Sequence, residues 1–232
     1  VRELRCENPL LNLKLLGERN FGVSMAVLAI FGIGMLGGTY LLPLYMQKGL
    51  GYTAIMAGSV FLPVGLIQGV LSTCSGFLTR YIKPLFIAVT GILVMTLSFY
   101  FASRFTLHTT HAQIMLVLYL RGFGMGLTFA PLNDFSLMNL SQRDMASAAG
   151  ISNSIKQLSG SVSIALLTVI LTGRTAFHSA QGGLSSAESY VAGISDDFLF
   201  VTFVSLASAL PFLWLLRPRR KAASFKSEGT GT

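Results

Sequence analysis

Residues 20–47 read NFGVSMAVLAIFGIGMLGGTYLLPLYMQ, an unbroken run without Asp, Glu, Lys or Arg. Coiled as an α-helix, this run is roughly 42 Å long, whereas the hydrocarbon core of a bilayer is only about 30 Å thick. It reads as a membrane-crossing helix, and the rest of the chain repeats the pattern. Further charge-free runs lie at 49–79, 84–103 and 198–216, and two more long apolar stretches, 111–139 and 145–172, each enclose one basic residue, Arg121 and Lys156. The fold class predicted is an all-α membrane protein with six transmembrane helices. An interfacial leader occupies 1–20, the bundle 21–216 (spans at about 21–47, 53–79, 84–103, 111–139, 145–172 and 198–216), and a basic, flexible cytoplasmic tail 217–232.

Composition supports that reading. Of 232 residues, 52% are hydrophobic and 11% are charged, whereas soluble domains carry about 25% charged residues. So few charges cannot coat a water-soluble core, which excludes most soluble-enzyme folds. The net charge of +8 is too thinly spread for a nucleic-acid footprint, which needs bases clustered on one face. Cys6 and Cys74 are too few for a disulfide scaffold and are expected to be free thiols. No signal peptide is visible after Val1, and the sequence reads as a piece of a longer chain.

Basic residues favour cytoplasmic loops, and here they segregate. Twelve fall in the leader, the second and fourth connections and the tail, among them Arg80, Lys83 and Arg143; three, Lys48, Arg104 and Arg174, fall on the opposite side. The expected topology is a multi-pass protein of the cytoplasmic (inner) membrane with both termini cytoplasmic. The leader segment 9–18 is expected along the membrane surface, in contact with lipid. The Ser- and Gly-rich connection 173–195 is expected to be the longest and most mobile.

Glycine is rich in spans one, two, four and five and sparse in three and six. Small residues let helix backbones approach, so the first four are expected to pack on protein and the other two to face lipid. That three-plus-three pattern suggests nested repeats of the kind found in secondary transporters. Gly34 with Gly38, Gly65 with Gly69, and Gly122 with Gly126 read as packing pairs. Pro43, Pro63 and Pro131 are expected to bend spans one, two and four.

The intramembrane polar residues are the functional candidates. Arg121 and Lys156 lie ten and eleven residues into their spans, near the bilayer centre, and central cations normally face a cavity or a partner. Asn153, Gln157, Gly150 and Gly160 share a broad face with Lys156. No carboxylate of the chain is well placed to neutralise either cation, since Asp134 lies thirteen residues beyond Arg121. Their partners therefore lie on spans absent from this sequence, or they line a wet cavity that receives an anionic or polar group, or they bond to backbone carbonyls as helix glue. Tyr40, with Leu36, Gly37 and Leu44, and Gln68, with Phe61, Ser72 and Ser75, are further cavity candidates, equally readable as packing residues.

Several motifs are rejected. Gly32, Gly34 and Gly37 fit a dinucleotide fingerprint by spacing, but they lie inside an apolar helix rather than after a strand. His108 and His111 have no acid or cysteine beside them to complete a metal site. Asn139 begins a glycosylation sequon that the topology places inside. No nucleophile, base and orienting group assemble anywhere, so an enzyme reading has nothing to stand on.

Longer motifs carry a family resemblance. Asn8-Pro9-Leu10-Leu11-Asn12-Leu13-Lys14 leading to Arg19-Asn20-Phe21, Leu42-Pro43-Leu44-Tyr45-Met46-Gln47, Arg121-Gly-Phe-Gly-Met-Gly126 with Ala130-Pro131-Leu132, and Ala146-Ser-Ala-Ala-Gly150 with Asn153 and Lys156-Gln157-Leu158-Ser159-Gly160 resemble the C-terminal half of fourteen-span drug:proton antiporters of the major facilitator superfamily. The resemblance implies a multidrug efflux pump exporting small amphipathic compounds in exchange for protons, with the proton gradient as its energy source and no cofactor. It further implies a missing N-terminal half of six to eight helices, which carries the acids usually assigned to proton coupling. Spans one and four would line the cavity, and two and five would form contacts and gates. Gly76-Phe-Leu-Thr79-Arg80-Tyr-Ile82-Lys83 is similar to the family's gating loop, with Gly76, Arg80 and Lys83 in place, but Thr79 stands for the usual aspartate and Ile82 for the usual glycine. An uptake or metabolite transporter of the same superfamily and a free-standing six-helix assembly module are the alternatives.

Overall fold

The computed structural model describes residues 13–138, 140–142, 144–180, 183 and 185–211. The greater part of the leader, Cys6, Asn139, Arg143, positions 212–216 of the sixth predicted span and the tail lie outside the described residues. Seven α-helices are described: α1 (Arg19–Leu44), α2 (Ala54–Ser59), α3 (Phe61–Leu78), α4 (Pro84–Ala102), α5 (His111–Leu137), α6 (Met145–Ala180) and α7 (Ser186–Ala207). With α2 and α3 as one interrupted span, six are long and apolar enough to cross a membrane.

Local chemistry sets the boundaries. Pro43 sits inside α1, which passes directly into a π-helical turn at Tyr45–Gly49. Pro63 has no N–H to offer the carbonyl four residues back, and that carbonyl belongs to Ser59, where α2 gives way to α3. Pro84 takes the first position of α4, where the missing N–H costs nothing. Thr110 with Gln113 and Ser185 with Glu188 form reciprocal capping boxes on α5 and α7. Before α1, a 3-10 turn at Leu13–Gly17 folds back so closely that a Cβ on Gly22 would sit 2.4 Å from the Leu16 carbonyl oxygen. Glycine is required there.

The Ser185 cap corrects the sixth span. The helix begins at Ser186, not near 198, and α6 runs on to Ala180, so the predicted mobile connection at 173–195 is almost wholly helical. The search for charge-free runs missed it because Asp196 and Asp197 stand inside the helix.

Two helix pairs anchor the bundle. α6 packs on α1, and α3 packs on α5. Each contact is zipped by a serine hydroxyl donating to a carbonyl across the interface: Ser163 to Ile33 at 2.7 Å and Ser75 to Gly126 at 3.1 Å. Counted three helices apart, these bonds are equivalent, as nested repeats require. α4 packs closely on α5 and also meets α7, which joins it to α1 and α6. A Cβ on Gly91 would lie 2.8 Å from the Gly124 carbonyl oxygen, so the α4 and α5 backbones nearly touch.

Within this chain the coverage of the spans does not follow the glycine count. The apolar windows of α4 and α7 are each 44% buried, against 17% for α2–α3 and 28% for α6. One well-placed glycine, Gly91, is enough for α4. By contrast, a Cβ on Gly58, Gly65, Gly69 or Gly76 would meet nothing within 4 Å, and Leu62, Leu66 and Val70 stand exposed beside them. Glycine content records how closely something could approach; here nothing among the described residues does.

Candidate functional site: a groove between α1 and α6

α1 and α6 approach through small residues and then part. A Cβ on Gly160 would sit 2.4 Å from Leu36 Cδ1, and one on Gly37 would sit 2.4 Å from Leu167 Cδ1. Beside that seam opens a cavity of about 350 Å³ lined by Leu36, Thr39, Tyr40, Gln157, Ser161 and Ile164. Tyr40 also lines a second cavity of about 420 Å³, with Leu44, Lys48, Thr168, Thr175 and Tyr190. The two form one amphipathic groove with Tyr40 at its waist, its hydroxyl 3.4 Å from Thr168 Oγ1. Lys48 caps the far end, its ammonium 5.7 Å from the Tyr190 ring.

Of the predicted cavity residues, the groove brings Tyr40 and Gln157 together, and Asn153 lies one exposed turn from Gln157 on α6. Lys156 is half-buried and turns toward α5, its ammonium 5.7 Å from the Phe129 ring. Among the described residues no carboxylate reaches ion-pair distance of it. Gln68 is elsewhere: it lies on α3, whose partner is α5, where its backbone carbonyl oxygen would meet a Cβ on Gly126 at 3.0 Å.

Arg121 is 3% exposed and belongs to the bundle rather than the groove. Its guanidinium donates to the carbonyls of Gly38 at 3.3 Å and Met35 at 3.0 Å, and to Thr39 Oγ1. Carbonyl oxygens have two lone pairs, so α1 accepts these bonds without giving up its own helix ladder. Of the alternatives left open by the sequence, helix glue is the one this geometry matches. Thr39 connects the two regions, because it also lines the groove.

The four packing glycines lie on helix contacts. Gly34 faces Val201 and Ser205 of α7, Gly38 the Phe99 ring of α4, and Gly122 and Gly126 face Val64 and Leu71 of α3. At the opposite end, Arg80 is exposed with its guanidinium 5.5 Å from the Phe77 ring, Lys83 is exposed ahead of α4, and Gly76 lies in α3. Thr79 Oγ1 lies 3.5 Å from Asp134 Oδ2 on α5. A carboxylate thus stands against the position where the family's loop carries its own aspartate.

Sequence reading missed the acid cluster on α7. Asp196 Oδ2 lies 2.9 Å from His178 Nε2 and 3.5 Å from Arg174 Nε, both on α6. Asp197 is wholly buried, and among the described residues neither of its carboxylate oxygens has a hydrogen-bond partner. The Ser185-x-x-Glu188 cap ahead of an apolar run was the signal that could have placed both inside a span.

Comparison with known proteins agrees with the helix pattern. The sequence model of the Major Facilitator Superfamily matches residues 2–164. An uncharacterized MFS-type transporter, YhcA of Bacillus subtilis, is 32% identical over 181 residues, 78% of this chain and 34% of its own length. The multidrug export protein EmrB of Haemophilus influenzae is 31% identical over 182 residues, 78% of this chain and 36% of its own. The lincomycin resistance protein LmrB of Listeria innocua is 26% identical over 222 residues, 94% of this chain and 47% of its own. The chain thus spans between a third and a half of the length of these relatives. With the family model covering well over half of its residues and six membrane-length helices in its fold, the chain belongs to the Major Facilitator Superfamily.

Proposed function

We propose that this chain is the C-terminal six-helix half of a proton-coupled multidrug exporter of the cytoplasmic membrane, working by alternating access with both termini on the cytoplasmic side. The observation that carries the reading is the pair of bare apolar helices, α2–α3 and α6, the least covered of the six spans. A second bundle laid against both would cover Leu62, Leu66 and Val70 on one and Leu158 and Val169 on the other. It would also close the α1–α6 groove into a cavity. The relatives have the extra chain to supply such a bundle, and two of the three carry drug-export or drug-resistance names.

The groove suits amphipathic cargo. Leu36, Leu44 and Ile164 offer apolar contact, and Tyr40, Gln157, Ser161 and Thr168 offer a few hydrogen bonds, the mixture typical of small-molecule pockets. In membranes of the source cell, an antibody to residues 221–232 is expected to detect a polypeptide near twice 24.9 kDa. Cells expressing the complete protein are expected to export a lipophilic dye until a protonophore collapses the gradient. A band at 24.9 kDa would instead favour the free-standing module, and protonophore-insensitive export would refute proton coupling.

One observation favours a second reading, export of anionic amphiphiles. No carboxylate stands near Lys156 among the described residues, and an ammonium group without one repels cationic drugs and attracts acids. Under this reading Lys156→Ala lowers export of an anionic amphiphile relative to a cationic dye at equal expression. An unchanged ratio would refute it.

A further inference from the structure

Among the described residues, four of the six buried polar side-chain atoms that lack a hydrogen-bond partner lie at one interface, between α6 and α7. They are Ser189 Oγ, Thr175 Oγ1 and the two carboxylate oxygens of Asp197. Ser189, Gly193 and Asp197 follow at four-residue steps, so they share one stripe of α7 with roughly 6 Å between successive positions. At Gly193 the helices meet: a Cβ there would lie 2.6 Å from Thr175 Oγ1. The Thr175 hydroxyl therefore fills the step between Ser189 and Asp197. Thr175 also lines the groove, together with Tyr40, Lys48 and Tyr190.

Beyond Asp197 the stripe meets apolar packing before the next polar group. One turn beyond Asp197, Val201 packs against Gly34 and Gly37 of α1, and the next position, Ser205, is bonded to Thr96 of α4 at 3.0 Å. Asp197 stands eleven residues after Ser186, roughly 16 Å into the helix and about half-way across a hydrocarbon core.

Two adjacent acids have opposite surroundings. Asp196 is paired with His178 and Arg174, whereas Asp197 is 0% exposed and has no hydrogen-bond partner among the described residues. A bare carboxylate inside a membrane protein is costly, and a bound positive charge removes that cost. Size decides which one. A residue with no exposed surface has no room for a drug, and a metal ion would need about six oxygens, which Asp197 and two hydroxyls do not provide. A proton fits. The titratable and charged groups facing this region are Glu188, Tyr190 and Asp196 on α7, Arg174 and His178 on α6, Tyr40, Tyr45 and Lys48 on α1 and its π turn, and Arg104 and His108 in the connection after α4. α4 contributes no Asp, Glu, Lys, Arg or His.

We propose that Asp197 is a proton-binding carboxyl within this half of the transporter, loaded from the α6–α7 end of the bundle by way of the hydroxyls of Ser189 and Thr175. Loading adds one proton to a carboxylate oxygen and removes one negative charge, with no other bond made or broken. With the charge removed, α7 can stay packed against α1 and α6; with it restored, the interface draws water and loosens, which links proton release to helix movement. The proposal rests on the proton-coupled reading above and adds to it a coupling acid in the half where the family resemblance places none.

The test uses the complete transporter in liposomes, with two readouts. In pH-titrated infrared difference spectra, a protonated-carboxyl band is expected in the wild type and is lost in Asp197→Asn, returns shifted in Asp197→Glu, and rises more slowly after a pH jump in Ser189→Ala. Identical bands in wild type and Asp197→Asn overturn the proposal, whatever the cargo. With ethidium as probe and a pH dye in the lumen, the wild type moves protons as ethidium crosses. Asp197→Asn loses that proton flux while ethidium still equilibrates down its gradient, which shows that the variant is folded. Ethidium movement without protons in the wild type defeats the coupling reading and this proposal together; proton flux that survives in Asp197→Asn defeats this proposal alone.

Discussion

Substituting Arg121 separates a side chain that holds helices from one that meets cargo. Its guanidinium makes three contacts with one turn of α1: the Met35 carbonyl, the Gly38 carbonyl and the Thr39 hydroxyl. Interhelical hydrogen bonds within membranes contribute about 0.6 kcal/mol each on average, so the fork joins α5 to α1 by about 2 kcal/mol. Truncation leaves no bare acceptor at Met35, whose carbonyl keeps the Thr39 hydroxyl as donor at 2.9 Å. Arg121→Ala is therefore expected to lower the unfolding free energy of the complete transporter by about 2 kcal/mol. Arg121→Lys keeps the charge but not the planar fork and is expected to lose more than half of that. The half-exposed Lys156, which shows one ring contact, should cost no more than about 0.5 kcal/mol on truncation to alanine. Denaturant unfolding in mild detergent reads all three. If Arg121→Ala were as stable as the wild type, or Arg121→Lys indistinguishable from it, the fork would not be holding α1, and Arg121 would return to the list of cavity cations.

Other substitutions test separate contacts. Gly91→Ala places a Cβ 2.4 Å from Thr128 Oγ1 and 2.9 Å from its backbone nitrogen; forcing α4 from α5 should cost about 1–3 kcal/mol by the same unfolding assay. Gly69→Ala, with nothing within 4 Å, should be neutral or stabilising in the isolated half and harmful only where a second bundle covers α3. Thr79→Asp sets a second carboxylate against Asp134, now 3.5 Å from the threonine hydroxyl; repulsion of about 1 kcal/mol is expected, and Thr79→Asp with Asp134→Thr should restore the wild-type unfolding midpoint. Tyr40→Ala removes the waist shared by both parts of the groove and should weaken dye export without lowering expression; normal export would remove Tyr40 from the cargo path.

The spans were legible because apolar length is a one-dimensional property that the bilayer enforces. Their partners were not, because which glycine touches which helix depends on register and rotation. Gly91 alone brings α4 against α5, while the four glycines of α2–α3 face open space, so equal glycines carried opposite meanings. In the groove, Tyr40 was legible as a polar group on an apolar span and Gln157 as part of the polar face around Lys156, whereas Gln68, chosen like Tyr40, lies on a helix packed against α5. Arg121 was legible as an intramembrane charge, but its acceptors are backbone carbonyls, which no sequence pattern marks. Asp197 was hidden by the very rule that found the other spans, since a search for charge-free runs discards the charged residue that a functional span retains.

The two repeats share a scaffold but not a chemistry. The equivalent serine zippers, Ser75 to Gly126 and Ser163 to Ile33, show that the backbone arrangement is used twice. Yet after Arg19 at its start, α1 through α4 hold no Asp, Glu, Lys or Arg, while α5, α6 and α7 carry Arg121, Lys156, Asp196 and Asp197 deep in their spans. Charges are costly in lipid; Arg121 is offset by its bonds to α1, whereas Lys156 and Asp197 have no such bonds among the described residues and are not accounted for by helix packing. The first repeat supplies a wall: apolar side chains, the Tyr40 waist and carbonyls to receive Arg121. The second supplies the groups that respond to charge. A movement of α6 and α7 against α1 would alter the groove and the surroundings of Asp197 at once, since Thr175 belongs to both. Cargo and proton would thus share one interface, and neither could bind without changing the site of the other.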